Sequence, residues 1–79
     1  MEQRIIEIMK EVLEEQDIDI NSTQETLKNW NSLSHLNLAS ELEDAFDVEL
    51  DPADIAEMKS VRDIVRIING ILNNDGSNG

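Results

Sequence analysis

The sequence predicts an all-α fold, a small four-helix bundle of three longer helices and one short one. Three observations carry that prediction. Apolar residues recur at helical spacing in three stretches, near 5–13, 35–46 and 61–72. Between them stand residues that start helices, notably Asn31-Ser32, Asp51-Pro52 and Ser60. Period-two alternation covers only Asp17-Ile18-Asp19-Ile20, too short a run to specify a strand.

In chain order, Ile5, Ile8, Met9 and Val12 share a face, joined by Ile6 and Leu13, with charges between them; the spacing predicts helix I over about 2–15. Residues 16–30 then form a long connection. Ile18, Ile20, Leu27 and Trp30 are expected to pack inward, and Thr23 to cap a single turn through Thr26. Asp17-x-Asp19-x-Asn21 resembles the opening of a calcium-binding EF-hand loop. Its sixth position, where glycine makes the sharp turn, is Ser22, and its twelfth, where a bidentate glutamate closes the shell, is Lys28. A cation in place of the principal ligand argues against that reading, and no metal site is expected.

Helix II is predicted over 32–46. Asn31 and Ser32 are both good N-cap residues, because a side-chain oxygen there accepts an unpaired amide of the first turn. At about 100° per residue, His35, Leu38, Ala39, Leu42, Ala45 and Phe46 share one face. Leu33, Asn37, Ser40 and Asp44 lie opposite, flanked by Leu36, Glu41 and Glu43. Leu33 and Leu36 are therefore apolar residues that the core does not claim; beside an acidic rim they suit the centre of a partner-binding face. A serine at the start of this helix sits by the positive end of its dipole, an environment that favours an attached phosphate, although a serine in that position is ordinarily a cap.

Asp51-Pro52 reads as an N-cap followed by proline at the first helical position, and opens a short helix III through Glu57 or Met58 with Ile55 and Met58 facing inward. Ser60-x-x-Asp63 is a capping-box variant that starts helix IV, whose stripe is Val61, Ile64, Val65, Ile68 and Leu72. Asn69-Gly70 is expected to fray its end. Residues 1–72 thus form one domain, and 73–79 a polar tail expected to be disordered.

Composition narrows the function. A chain of 79 residues makes one small domain that buries roughly 60% of its unfolded surface. With no cysteine there is no disulfide framework and no thiolate metal site, so any thiol chemistry must come from an attached group. No run approaches the roughly 18–20 apolar residues of a membrane span, and the N-terminus lacks the layout of a secretory signal, so the chain is expected to be cytoplasmic. The formal charge of −12 argues against nucleic acid and anionic lipid and favours partners with basic patches. The core must be aliphatic, from ten Ile, eight Leu and four Val against one Trp and one Phe. An aliphatic interior either close-packs or parts to admit an alkyl chain, and composition does not choose between them.

His35 falls on the buried face, where an interior histidine hydrogen-bonded to a neighbour is expected. Ser32 and Ser34 are close in sequence but do not face it, and no nucleophile, base and orienting group converge, so the chain is not expected to be an enzyme and has no catalytic residue.

Taken together, the four helices, the long first connection, the acidity and the serine opening helix II resemble an acyl carrier protein. The family's Asp-Ser-Leu attachment motif stands here as Asn31-Ser32-Leu33. Leu36, Leu38, Leu42, Glu43, Asp44 and Phe46 match its downstream aliphatic, acidic and phenylalanine pattern. Val48-Glu49-Leu50-Asp51-Pro52 resembles the turn into its third helix, and Lys59-Ser60-Val61-Arg62-Asp63 the entry to its fourth. The resemblance spans roughly residues 4–72 and is weakest in the first connection. Trp30 and His35 are more similar to stand-alone carriers of specialised pathways than to the fatty-acid-synthesis type.

The resemblance implies that Ser32 receives 4′-phosphopantetheine from coenzyme A through a phosphopantetheinyl transferase using magnesium. Asn31 and Leu33 would flank the attachment, and the arm would hold acyl intermediates of fatty-acid, polyketide or specialised acyl biosynthesis as thioesters, a tether that raises their local concentration for partner enzymes. It implies that Leu33, Leu36, Asn37, Ser40, Glu43 and Asp44 dock on acyl-activating, acyltransferase or synthase enzymes with basic patches, and that the chain is a monomer. His35, Leu42, Phe46, Ile55, Met58 and Val61 would line any interior shelter for a short or medium acyl chain. Asn31 replaces the usual aspartate and Asn37 a frequent glutamate, which lowers the charge offered to partners. An aminoacyl or peptidyl carrier is a close variant, although its glycines before the serine are absent from Lys28-Asn29-Trp30-Asn31. An unmodified interaction module of the same fold is the alternative of another class.

Overall fold

The structure, a computed structural model, describes the backbone of residues 1–77 and the side chains of 1–73. Four helices follow in the order α1 (Glu2–Leu13), α2 (Ser32–Phe46), α3 (Pro52–Glu57) and α4 (Val61–Ser77). The core is aliphatic, with Ile5, Met9 and Leu13 of α1 meeting Leu38, Ala39 and Leu42 of α2 and Val61, Ile64 and Ile68 of α4. Ile18, Leu27 and Trp30 of the first connection are buried with them, and Ile20 is half-buried, so the connection packs inward as expected. None of the helices in the described residues is long and apolar enough to cross a membrane.

Two helices end where no glycine marks a stop. Glu14 (φ 54°) and Asp47 (φ 55°) each take the left-handed conformation, and each returns its amide to a carbonyl of the preceding turn, Lys10 O and Glu43 O. That αL cap, usually a glycine's, ends α1 at Leu13, two residues short of the expected 15. At the other end of the chain, α4 overruns its expectation. The helix runs as far as Ser77, past the expected fraying at Asn69-Gly70; Asn78 and Gly79, the end of the expected tail, lie outside the described residues. Gly70 costs a helix only about 1 kcal/mol relative to alanine, and no proline follows to stop it. Leu72, expected on the buried stripe, is 38% exposed.

The first connection is stitched to the α3–α4 junction. Gln24 N donates to Lys59 O (2.9 Å) and Val61 N to Ser22 O (3.0 Å), an isolated antiparallel bridge between Thr23 and Ser60. Thr23 also starts a tight turn, accepting the amides of Thr26 and Leu27 at its carbonyl. At the start of α4, Ser60 Oγ accepts from Asp63 N (3.1 Å), while the Asp63 carboxylate accepts from Lys59 N (3.3 Å), one residue before the reciprocal partner of an ordinary capping box. Partial desolvation pushes the Asp63 carboxyl upward. The hydrogen bonds from Arg66, Ser60 and the Lys59 amide outweigh it and hold the group below its ordinary value.

Candidate functional site

The start of α2 resolves which of two candidate residues caps it. Asn31 is the N-cap, in extended backbone (φ −116°, ψ −174°), and its Oδ1 accepts from Leu33 N (3.0 Å) and Ser34 N (3.1 Å). Ser34 closes the box from the third helical position: its Oγ accepts from Asn31 N (2.9 Å) and donates to Asn29 O (2.6 Å). A serine takes the place that Glu or Gln usually fills in such a box.

The neighbouring serines therefore have opposite fates. The Ser34 hydroxyl is consumed by the cap. Ser32, the first residue of the helix, is exposed, and among the described residues its hydroxyl makes no hydrogen bond. Both amides that Asn31 Oδ1 accepts fix which end of that side chain faces inward, so its Nδ2 amide is the end left for solvent. An amide is thus presented where the resemblance expects a carboxylate.

Ser32 opens on a groove of about 590 Å³ lined by Gln24 and Glu25 from the first connection, by Trp30 and Asn31, and by Ser32, His35 and Leu36 of α2. Its back wall is a hydrogen-bond chain. The buried Trp30 indole Nε1 donates to His35 Nδ1 (2.8 Å), and His35 Nε2 lies 2.7 Å from Ile55 O. An indole N–H only donates and a carbonyl only accepts, so Nδ1 is the acceptor and the ring hydrogen sits on Nε2. Gln24 Nε2 donates to Met58 O (3.3 Å) and lies 3.4 Å from the same Nδ1. His35 is half-buried and its ring nitrogens are engaged by Trp30 and Ile55, as its place on the inner face of α2 predicts; among the described residues no serine or threonine hydroxyl is hydrogen-bonded to it.

Along the outer face of α2, Leu33 (73%) and Leu36 (61%) are exposed, as are Asn37, Ser40, Glu41 and Asp44. These residues share a surface, as the helical angle requires. Glu43 departs from the expectation. It is half-buried and its carboxylate accepts from Leu50 N at 2.8 Å, so it fastens the α2–α3 connection. Its sequence position pointed to the rim, and a contact seven residues away across a turn left no local signal. The spacing of Asn31 and Ser34, by contrast, was a readable cap signature. The stretch is also acidic: between Asn29 and Met58 the chain has eight Asp and Glu and no Lys or Arg.

An exposed hydroxyl without a hydrogen-bond partner among the described residues, beside a groove and an acidic face with two bare leucines, fits a covalently attached arm and a protein that reads it. No curated protein matches the chain. A family model described as phosphopantetheine attachment site matches residues 3–68. The chain belongs to that family, carrier domains that hold 4′-phosphopantetheine covalently and meet the enzymes that modify and use them.

Proposed function

We propose that this chain is an acyl carrier, that Ser32 is the residue to which its 4′-phosphopantetheine is attached, and that residues 1–72 are the working domain. The observation that carries the reading is the difference between the two serines. Ser32 is exposed with its hydroxyl free among the described residues, whereas Ser34 is tied to Asn31 and Asn29. Asn31 and Ser34 keep the first turn of α2 formed, so that Ser32 stays outward whether or not it is modified. When bound, the arm supplies the thiol that a chain without cysteine lacks.

Leu33 and Leu36 are the apolar centre of the docking face, and Asn37, Ser40 and Asp44 its polar rim; Glu43 contributes charge from a fixed position. Partners with basic patches, first among them a phosphopantetheinyl transferase and then acyl-activating, acyltransferase or synthase enzymes, would be steered to this face by its excess of carboxylates. The domain acts as a monomer in the cytoplasm and performs no chemistry of its own.

Acyl cargo is favoured over aminoacyl or peptidyl cargo by the strong acidity and by the absence of glycine in Lys28-Asn29-Trp30-Asn31. A second reading, an unmodified interaction module, has one observation in its favour: Asn31 offers an amide at the position of the family's carboxylate. The mass of the protein purified from its own cells separates these. A carboxylic acyl group on the arm supports the proposal, an amino acid on it transfers the chain to the other carrier type, and a bare Ser32 while its pathway runs favours the module.

A further inference from the structure

The side chains that line the groove at Ser32 also fasten α3. That helix contributes no buried residue between Pro52 and Glu57. Its place is set by buried Leu50 and Met58 at either end, by half-buried Ile55, and by two side-chain hydrogen bonds from outside it. Gln24 Nε2 donates to Met58 O (3.3 Å) and His35 Nε2 to Ile55 O (2.7 Å), and Trp30 Nε1 holds the His35 ring from behind (2.8 Å). Ile55 O also accepts the Met58 amide that caps α3 (3.3 Å), while Met58 O lies past the last helical residue, so the two side-chain bonds add to the little that a six-residue helix makes for itself.

Behind this clasp the interior is closed. Leu38, Leu42, Met58, Val61 and Ile64 are each 0% exposed. A close-packed interior admits an alkyl chain only by moving elements apart. Between α2 and α3 that motion breaks the His35–Ile55 bond and turns a ring N–H and a carbonyl toward hydrocarbon, where unpaired polar groups are costly. The groove outside requires no such rupture: it opens at Ser32, with Gln24, Glu25 and Asn31 on its polar side and Trp30, His35 and Leu36 on the other.

We infer that the Trp30–His35–Ile55 clasp bars the space between α2 and α3 to an alkyl chain, so that cargo on Ser32 rides outside the helical core and is a short or polar acyl group. The inference rests on the carrier reading and names the substrate class of that same site.

The test loads the full chain with an acetyl or an octanoyl arm, using the corresponding acyl coenzyme A and a promiscuous transferase. Cleavage by hydroxylamine is then timed, and the Trp30 indole N–H signal is followed by ¹H–¹⁵N spectroscopy. The expected result is equal cleavage within about twofold and an unmoved indole signal, because a chain sheltered nine-tenths of the time would be cleaved about tenfold more slowly. Octanoyl cleavage slowed beyond about twofold, with a shifted indole signal, overturns the inference while leaving the carrier reading intact. A chain that stays bare overturns both. In His35→Leu, and in the milder Trp30→Phe, octanoyl is expected to become protected relative to acetyl; cleavage as fast as in the parent would show that the clasp is not the barrier. If His35→Leu fails to fold, the parent comparison and Trp30→Phe decide.

Discussion

The clasp between the first connection, α2 and α3 can be weighed by a double-mutant cycle on Trp30 and His35. Replacing His35 with leucine keeps a side chain of similar size but removes two hydrogen bonds, to the Trp30 indole (2.8 Å) and to Ile55 O (2.7 Å). The indole is buried, 4% exposed, so its N–H is left without a partner at about 1–3 kcal/mol, and the lost bond to Ile55 adds about 1 kcal/mol. The expected loss for His35→Leu is about 2–4 kcal/mol. A domain of this length has only about 4–12 kcal/mol in total, so the effect is large. Its melting temperature should fall by at least about 8 °C. Trp30→Phe removes the donor together with part of a ring and should lose about 1–2 kcal/mol, since Gln24 Nε2, 3.4 Å away, can move toward the vacated Nδ1. Urea unfolding of both single variants and the double variant gives the coupling. The bond predicts that the double variant loses about 1–2 kcal/mol less than the sum of the singles. Additivity within about 0.5 kcal/mol would refute the clasp as an energetic unit.

Other consequences are open to measurement. Asn31→Ala should lower stability by about 1 kcal/mol in thermal unfolding while Asn31→Asp stays within a few tenths, because either Asn or Asp caps α2. Ser34→Ala should also destabilise, by about 1 kcal/mol, and leave Ser32 fully modifiable; loss of modification in that variant would give Ser34 a role beyond the cap. Asp44→Lys should weaken transferase binding chiefly at low salt and leave the melting temperature unchanged, whereas Glu43→Lys should lower the melting temperature because it removes the acceptor of the Leu50 amide. Asp63 titrates below its ordinary 3.8 in the folded chain, so the stability it contributes is complete above that value and fades as pH falls through the folded pKa; a carboxyl NMR titration of Arg66→Ala should show Asp63 moving up toward 3.8.

Local physics made much of this fold readable. The bounds of α2 and α3 follow from Asn31, Asp51-Pro52 and an apolar stripe, all signals contained within a few residues. Ile18, Leu27 and Trp30 were identifiable as core because a long polar connection buries its few large apolar residues. The end of α1 was harder: Glu14 adopts a backbone that favours glycine, and nothing in its identity announces it. The site divides the same way. Ser32 and the exposed leucines could be placed by helical angle alone. The partners of His35 could not, since Ile55 is twenty residues distant and reaches it only after α3 folds back. Glu43 turned inward for the same reason, drawn to an amide that the next connection delivers.

The central claim is that Ser32 carries the arm. Intact mass and peptide mapping after incubation with coenzyme A, magnesium and a promiscuous transferase test it most directly. The account predicts one phosphopantetheine per chain, on the peptide containing Ser32, and none in Ser32→Ala. Addition at Ser34, or no addition with any transferase to a chain that is folded, would contradict it.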